Sequence, residues 1–425
     1  MNREESSHSR FKPTLGLFDA TAISVGAIIG AGIFVITGIA ARLAGSALVI
    51  SMLIAAVVSL FTALSFSELT AWQPKEGSIY EYTYQLISPF AGFLVGWVWM
   101  LSNVFAGAAV SLSFAHYLMA LFPILSVSWV AAILCLAFAA LNFFGIEQSA
   151  RLNNFVVVAK LLILAFYVIF GLAHIRMTNF VPFAPFRVSV LYGACFIFFA
   201  YGGFARVAIV ADEIKDAKRN VPRAILLSLA ISTAVYIFVG AVAIGLAGAS
   251  VLAGSNSPLT TAMKSTRSAL ASSITSSGAL VATASVLLTS ILGVSRMAFA
   301  MAKRKDIPQV LSKLHPKHNT PYYSVWISGG LMALLVLIAD LSKVVAISTF
   351  ALLFYYSFAN ISALKLKVEK RLYPRFVPIL GTASCLALLV FIFFASIQAW
   401  IIGVAGLLAG VIYYATKKKF LSSLS

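Results

Sequence analysis

Three glycines interrupt an apolar run near the start of the chain, in the sequence Gly26-Ala-Ile-Ile-Gly-Ala-Gly-Ile-Phe34. Glycine costs about 1 kcal/mol relative to alanine inside a helix, and it lets backbone approach a bound group closely. A helix within a membrane opens only where protein or a water-filled cavity satisfies the freed N–H and C=O groups. The stretch therefore predicts either a broken helix that binds a ligand or a close helix–helix contact through small residues.

A second glycine interruption, Gly202-Gly203, lies near the centre of the apolar segment 188–211. Counted in chain order, the two interruptions fall in the first and the sixth apolar segments. If segments one to five and six to ten form two halves, the odd number five requires the halves to have inverted topology. Paired interruptions in corresponding positions are typical of a transporter that binds its substrate near the middle of the membrane.

Lys160 lies about nine residues into the fifth apolar segment, in NFVVVAKLLILA from position 154 to 165. At 1.5 Å per residue its depth is about 13 Å, which makes it difficult for the side chain to reach the interface. Ionisable residues at such depth are costly and indicate function by default. Because burial disfavours the charged form of an amine, we predict that Lys160 gains and loses a proton.

The composition is that of a polytopic membrane protein. The 425 residues are 61% hydrophobic and only 10% charged, where soluble domains have about 25% charged residues. We predict an all-α fold with 12 transmembrane helices, each of about 20 mainly apolar residues. The predicted spans are roughly 17–43, 46–72, 90–121, 128–144, 152–173, 188–211, 223–247, 271–302, 325–339, 344–364, 377–394 and 399–415.

Basic residues predict the orientation. With an even number of spans both termini share one side, and that side carries 22 of the 31 basic residues against six on the other. The positive-inside rule then places both termini in the cytoplasm of a multi-pass cell-membrane protein. The net charge of +18 follows from this topology and from anionic lipid headgroups, so we expect no nucleic-acid partner.

Three motifs resemble the amino acid–polyamine–organocation permeases. They are residues 15–34 (LGLFDATAISVGAIIGAGIF), residues 198–204 (FFAYGGF) with 212–225 (DEIKDAKRNVPRAI), and residues 295–303 (SRMAFAMAK) with Ile307-Pro308. The resemblance spans nearly the whole chain. It implies a leucine-transporter-type fold with discontinuous helices 1 and 6, and secondary transport of amino acids or related amines by alternating access. The implied parts are a tail (1–16), two inverted repeats (17–173 and 174–366), two further helices (367–416) and a second tail (417–425).

An amino acid presents a carboxylate and an ammonium to such a site. We predict that backbone amides around Gly30, Ala31 and Gly32 bind the carboxylate, because a helix N-terminus favours anions. Carbonyls near Ile28–Ile29 and Phe199–Tyr201 would bind the ammonium, and the resemblance supports this division. The predicted substrate site comprises Ile28, Ile29, Gly30, Ala31, Gly32, Asn103, Phe199, Ala200, Tyr201, Gly202, Gly203 and Phe204.

The resemblance adds roles for single residues. Phe199 matches an aromatic gate, with a lipid-facing or core position as its alternative. Asn103 either polarises the side-chain end of the site or makes an interhelical hydrogen bond. Lys160 matches a lysine that, in some proton-coupled members, occupies the place where sodium binds in relatives. The same match implies Gly26 and Ser285 as its neighbours.

Ala205 and Arg206 depart from the family pattern, in which many members have an acidic residue directly after the Gly-Phe pair. An acidic residue there suits cationic substrates, so its absence argues against arginine, lysine and polyamines. Arg206 has three interpretations at this point. It favours an acidic substrate, it pairs with an acid such as Asp19, Glu68 or Glu213, or it faces the cytoplasmic vestibule.

The favoured function is proton-coupled symport of amino acids, mainly neutral and with broad specificity. The alternatives are an exchanger of amino acids or amines on the same fold and a membrane sensor that binds amino acids without moving them. The five histidines are scattered and no metal spacing, catalytic triad or phosphate loop is present, so we expect no enzyme, cofactor or metal. The expected partners are an amino acid, protons and the lipid bilayer, and the oligomeric state is open.

Overall fold

The computed structural model describes residues 13–30, 32–74, 78–122, 126–145 and 150–422, and these residues are helical apart from loops and one isolated backbone bridge between Leu15 and Ile214. Their α-helices are α1 (Leu17–Ile28), α2 (Thr37–Ala44), α3 (Leu48–Trp72), α4 (Ser78–Leu86), α5 (Pro89–Leu121), α6 (Val127–Phe143), α7 (Ala150–Leu172), α8 (Val188–Ala200), α9 (Ala217–Ala247), α10 (Ala249–Ala253), α11 (Pro258–Lys264), α12 (Ala269–Lys303), α13 (Tyr322–Ile338), α14 (Leu341–Lys365), α15 (Phe376–Ala395) and α16 (Ile397–Ser422). Short 3-10 helices cover Gly45–Ala47, Met177–Phe180 and Gln309–Ser312.

Helix occupies each of the twelve segments predicted to span a membrane. Within the described ranges, nine helical segments are long and apolar enough to cross a bilayer, and one of them, Leu17–Trp72, contains the first two predicted spans. The helices α6 and α13 are apolar but shorter, with 17 residues each. The prediction of an all-α polytopic membrane protein is confirmed. The leucine-transporter-type arrangement of twelve spans stays a prediction.

The helices α5 and α14 form the centre of the bundle. Their most apolar windows are 72% and 83% buried, whereas that of α16 is only 17% buried and faces outwards. Two serines join these central helices, since the Ser102 hydroxyl donates to the Ser348 carbonyl at 3.0 Å and the Ser348 hydroxyl donates to the Ser102 carbonyl at 2.8 Å. Small side chains let membrane helices approach closely, and here they also satisfy polar groups across the contact.

The helix contacts follow a two-fold pattern. The first interrupted segment packs through α1 against α9, and the second packs through α8 against α3. In addition, α5 packs against α12 and α6 against α13. If spans one to five are matched with spans six to ten, the contact of α1 with α9 becomes the contact of α8 with α3. The contacts of α5 with α12 and of α6 with α13 are unchanged by this matching.

Both predicted interruptions are present. Helix α1 ends at Ile28, Ile29 leaves the helical region (φ −79°, ψ 86°), and a π-helical turn over Gly32–Ile36 leads into α2. Helix α8 ends at Ala200, and the chain resumes as a tight 3-10 helix over Phe204–Glu213 with non-helical backbone at Val210. The second half of this span is therefore a 3-10 helix, and the break falls at the predicted Gly202-Gly203.

The two interrupted segments are also joined at their far ends. The amides of Thr14 and Leu15 each donate to the Glu213 carbonyl at 3.0 Å, and the Lys215 amide donates to the Leu15 carbonyl at 2.9 Å. Nearer the interruptions, the Ser24 hydroxyl donates to the Phe204 carbonyl at 3.1 Å. As a result, α1 and the 3-10 helix lie side by side.

Candidate binding site at the two helix interruptions

Glycine is required where the two interruptions meet, because each segment touches the other's backbone. A Cβ atom on Gly32 would lie 2.6 Å from the Cβ atom of Ala200, and one on Gly203 would lie 2.4 Å from the carbonyl carbon of Ala27. Gly32 follows the first interruption and contacts Ala200, which precedes the second. Gly203 in turn lies at the second interruption and contacts Ala27, which precedes the first. Gly32 and Gly203 therefore allow the two interruptions to pack directly against each other.

A tyrosine that sequence reasoning missed lies between the two interruptions. The buried hydroxyl of Tyr236, on α9, is 2.8 Å from the Ile28 carbonyl and 2.9 Å from the Ala200 carbonyl. A phenol carries one proton, so it can donate fully to only one of these carbonyls at a time. The other carbonyl then keeps accepting capacity for a bound group.

Lys160 holds the end of α1. Its side chain is 1% exposed, and its Nζ atom donates to the carbonyls of Gly26 and Ile29, each at 3.2 Å. These carbonyls lie at the C-terminal end of α1, where the helix dipole favours a cation. An ammonium has three N–H donors, and these two carbonyls accept from two of them.

Of the two predicted neighbours of Lys160, Gly26 accepts a hydrogen bond from it, whereas Ser285 bonds within its own helix. The Ser285 hydroxyl donates to the Ala282 carbonyl of its own helix at 3.0 Å, and it is not among the hydrogen-bond partners of Lys160 in the described structure. A serine inside a helix has a carbonyl one turn back within easy reach, which explains this local bond.

A small cavity of ≈ 50 Å³ lies between the interruptions. Eight residues of the predicted substrate site line it, together with Arg206. These eight are Ile28, Gly30, Gly32, Asn103, Phe199, Ala200, Gly202 and Gly203. Lining residues that the sequence did not single out are Ala27, Ser102, Ala106, Val110, Val286, Ser290, Ser348, Leu352 and Tyr355.

Three predicted residues lie behind the cavity wall. The Ile29 side chain is fully buried, and its carbonyl accepts from Lys160. The Tyr201 ring packs against Tyr236, with ring centroids 5.1 Å apart. Phe204 stacks on Tyr356, also at 5.1 Å. The fourth, Ala31, lies outside the described residues.

Backbone groups at both interruptions already make local hydrogen bonds. The Gly30 amide donates to the Ile28 carbonyl and the Gly202 amide donates to the Phe199 carbonyl, each at 3.0 Å. The Gly30 amide must therefore leave Ile28 before it can donate to a carboxylate. Its role in binding stays a prediction.

The positions of Phe199 and Asn103 bear on the alternatives for each, and their roles in binding stay predictions. Phe199 lines the cavity, which excludes a purely lipid-facing side chain. Asn103 also lines it, and its Nδ2 atom donates to the Trp99 carbonyl of the same helix at 2.9 Å. The proposed interhelical hydrogen bond of Asn103 is therefore wrong.

Arg206 faces the cavity and donates to two neutral hydroxyls on α12, those of Thr289 at 2.6 Å and Ser290 at 3.0 Å. No carboxylate among the described side chains lies within ion-pair distance of it. Asp19 accepts from Asn154 at 2.6 Å, and Glu68 lies 3.5 Å from Arg371. Among the described side chains, Arg206 therefore forms no ion pair with Asp19, Glu68 or Glu213.

A second, smaller cavity of ≈ 20 Å³ adjoins the first. Asn103, Gly202, Arg206 and Tyr355 line both cavities, and Ala205 lines only the second. The second cavity also reaches Met297, six residues before the end of α12 at Lys303. Arg206 thus stands at the junction of the two spaces.

A buried cavity between two interrupted membrane helices is typical of a secondary transporter. Residues 15–415 match the model of the amino acid permease family. The chain is 29% identical to a branched-chain amino acid permease of Bacillus subtilis, over 97% of this chain and 95% of that protein. It is 30% identical to a methylthioribose transporter of the same species (96% and 94% covered) and 31% identical to the mouse cationic amino acid transporter 4 (86% and 62% covered). The chain therefore belongs to the amino acid permease family, within the amino acid–polyamine–organocation permeases.

Proposed function

We propose that this permease is a secondary active transporter that moves amino acids by alternating access, in symport with protons. The observation that carries the proposal is Lys160, buried at 1% exposure with its Nζ atom on two carbonyls of the first interruption. Family membership supports the substrate class, and the geometry of Lys160 supports the coupling.

The proposed substrate pose uses both interruptions. The carboxylate binds amides of the first one, at Gly32 and its neighbours, where the helix resumes. The ammonium binds whichever of the Ile28 and Ala200 carbonyls does not accept from Tyr236. Because these contacts are to main chain, they leave the side chain of the amino acid free to extend along the cavity.

The proposed proton step acts on α1. Protonated Lys160 attracts the carbonyl-rich end of α1 by charge as well as by hydrogen bonds. Loss of the proton removes the charge and weakens this attraction, so the protonation state of Lys160 biases the position of α1. The same ammonium occupies the space that a sodium ion would need beside these carbonyls.

The two-fold pattern of helix contacts supports an inverted repeat of residues 17–173 and 174–366. The reciprocal contacts of Gly32 with Ala200 and of Gly203 with Ala27 agree with this pairing. In this arrangement the two interruptions lie at equivalent positions, and alternating access moves one repeat element against the other around them. Both termini are proposed to be cytoplasmic, on the basic side of a cell membrane.

Reconstituted liposomes test the coupling. Wild-type protein is expected to take up radiolabelled amino acids faster with an inward proton gradient, and a trapped pH-sensitive dye is expected to report proton entry when substrate is added. The Lys160→Ala variant should bind substrate but lose stimulation by the gradient. Lys264→Ala, which removes an exposed lysine from α11, should behave as wild type.

Several results would contradict the proposal. Uptake by Lys160→Ala that still follows the proton gradient would refute the role of Lys160. Uptake that needs internal amino acid and ignores the gradient would identify an exchanger. Binding without uptake in any gradient would identify a sensor.

A further inference from the structure

Arg206 brings an uncompensated positive charge to the wall of the cavity. A guanidinium has five N–H donors, and two of them are used on the neutral hydroxyls of Thr289 and Ser290. No acidic side chain lines either cavity that Arg206 borders, within the described residues. A partly buried guanidinium with no described carboxylate beside it and free N–H donors is suited to an anion that enters with the substrate.

The backbone directs Arg206 towards the interruption of α1. Arg206 lies on the 3-10 helix, and its amide donates to the Gly203 carbonyl at 3.1 Å. Residues three apart eclipse each other in a 3-10 helix, so Arg206 lies one turn from Gly203 on the same face. Gly203 itself contacts Ala27, so this face is the one turned to α1.

The cavity thus has two separate places for negative charge. The main-chain amides at the first interruption suit the carboxylate that every amino acid carries. The guanidinium lies on the other interrupted segment, and guanidinium–carboxylate contacts are strong and directional. Polar lining near it, from Ser290 and Tyr355, is neutral and offers no competing anion.

We propose that Arg206 makes the site selective for amino acids with an anionic side chain, such as glutamate or aspartate, and excludes those with a cationic side chain. The proposal rests on the amino acid transport proposed above and specifies its substrate class, since amino acids with neutral side chains are expected to be transported less efficiently. The relatives do not supply this class, because their names refer to branched-chain amino acids, cationic amino acids and methylthioribose.

The test compares glutamate with glutamine, which has nearly the same shape and no side-chain charge. In liposomes, wild-type protein should show a higher kcat/KM for glutamate. Arg206→Gln should lower the glutamate/glutamine ratio of kcat/KM at least about tenfold, the scale of a hydrogen bond to a charged group. Arg206→Lys should keep part of the preference, and Arg187→Gln, which removes an exposed charge at the start of α8, should leave the ratio unchanged.

Each contrary result has a distinct meaning. Equal loss of glutamate and glutamine uptake in Arg206→Gln would overturn the inference, because it would indicate that Arg206 only stabilises the packing of the 3-10 helix against α12. A wild-type preference for glutamine would overturn it too, while amino acid transport would stand. Absence of uptake for every amino acid, with folded protein, would overturn the proposed function and the inference together.

Discussion

The close approach of the two interruptions leads to a sharp prediction for Gly203. In Gly203→Ala the new Cβ atom would lie 2.4 Å from the Ala27 carbonyl carbon, 2.5 Å from its oxygen and 2.6 Å from the Ile28 nitrogen. Non-bonded carbon atoms prefer separations of about 3.5–4.0 Å, so the overlap is about 1 Å. All three atoms are main chain, so no side-chain rotation relieves it.

The expected cost is at the upper end of that for overpacked sites, about 3 kcal/mol. This corresponds to more than a hundredfold in an equilibrium constant. The backbone of Gly203 has φ −100°, which alanine adopts without strain, so the cost is steric and not conformational. This steric cost should destabilise the conformation in which the two interruptions touch.

Thermal unfolding of purified protein and uptake in liposomes measure this cost. Gly203→Ala should unfold at a lower temperature and lose most of its uptake. The matched control is Gly330→Ala inside α13, where an added Cβ atom meets nothing within 4 Å. That variant should gain up to about 1 kcal/mol from helix propensity and transport normally. Wild-type stability and uptake in Gly203→Ala would refute the direct contact between the two interrupted segments.

Two further variants test the polar contacts of the bundle. Tyr236→Phe should lower stability by about 1–3 kcal/mol and slow uptake, because the Ile28 and Ala200 carbonyls lose their shared donor; unchanged uptake in liposomes would argue against a role of Tyr236 in the site. Arg371→Ala should destabilise the protein by about 3 kcal/mol in thermal unfolding, because it leaves the 3%-exposed Glu68 side chain without its partner and removes three hydrogen bonds to backbone carbonyls. Adding Glu68→Gln should recover the part of the loss that comes from the unpaired carboxylate, and equal stability of the single and double variants would contradict the ion pair.

The two cations near the site have different proposed roles, proton coupling for Lys160 and substrate selection for Arg206. Lys160 donates its hydrogen bonds to two carbonyls of the first interrupted segment. Arg206 belongs to the second segment and contacts α12. The two proposals therefore rest on different side chains, and each has its own variant and its own readout.

Local features of the sequence were enough to locate the interruptions and the buried lysine. Glycine disfavours helix wherever it stands, and a long apolar segment must be helical in a bilayer, so Gly30, Gly32 and Gly202-Gly203 predicted breaks without knowledge of their neighbours. The depth of Lys160 follows from counting residues along one helix. Composition alone likewise determined that the chain is an all-α membrane protein.

Only the tertiary structure decided which side chains meet at those breaks. Tyr236 lies 208 residues from Ile28 in the chain, and Arg206 lies 83 residues from Thr289. Tyrosine and threonine have no charge that would single them out in an apolar helix, and helices that are apolar on all sides do not reveal which face turns inward. For the same reason the sequence did not show that Tyr201 and Phe204 pack on Tyr236 and Tyr356, or that Ser285 bonds within its own helix. Partners for a hydroxyl or a guanidinium are set by how the helices pack, and that packing is a property of the whole bundle.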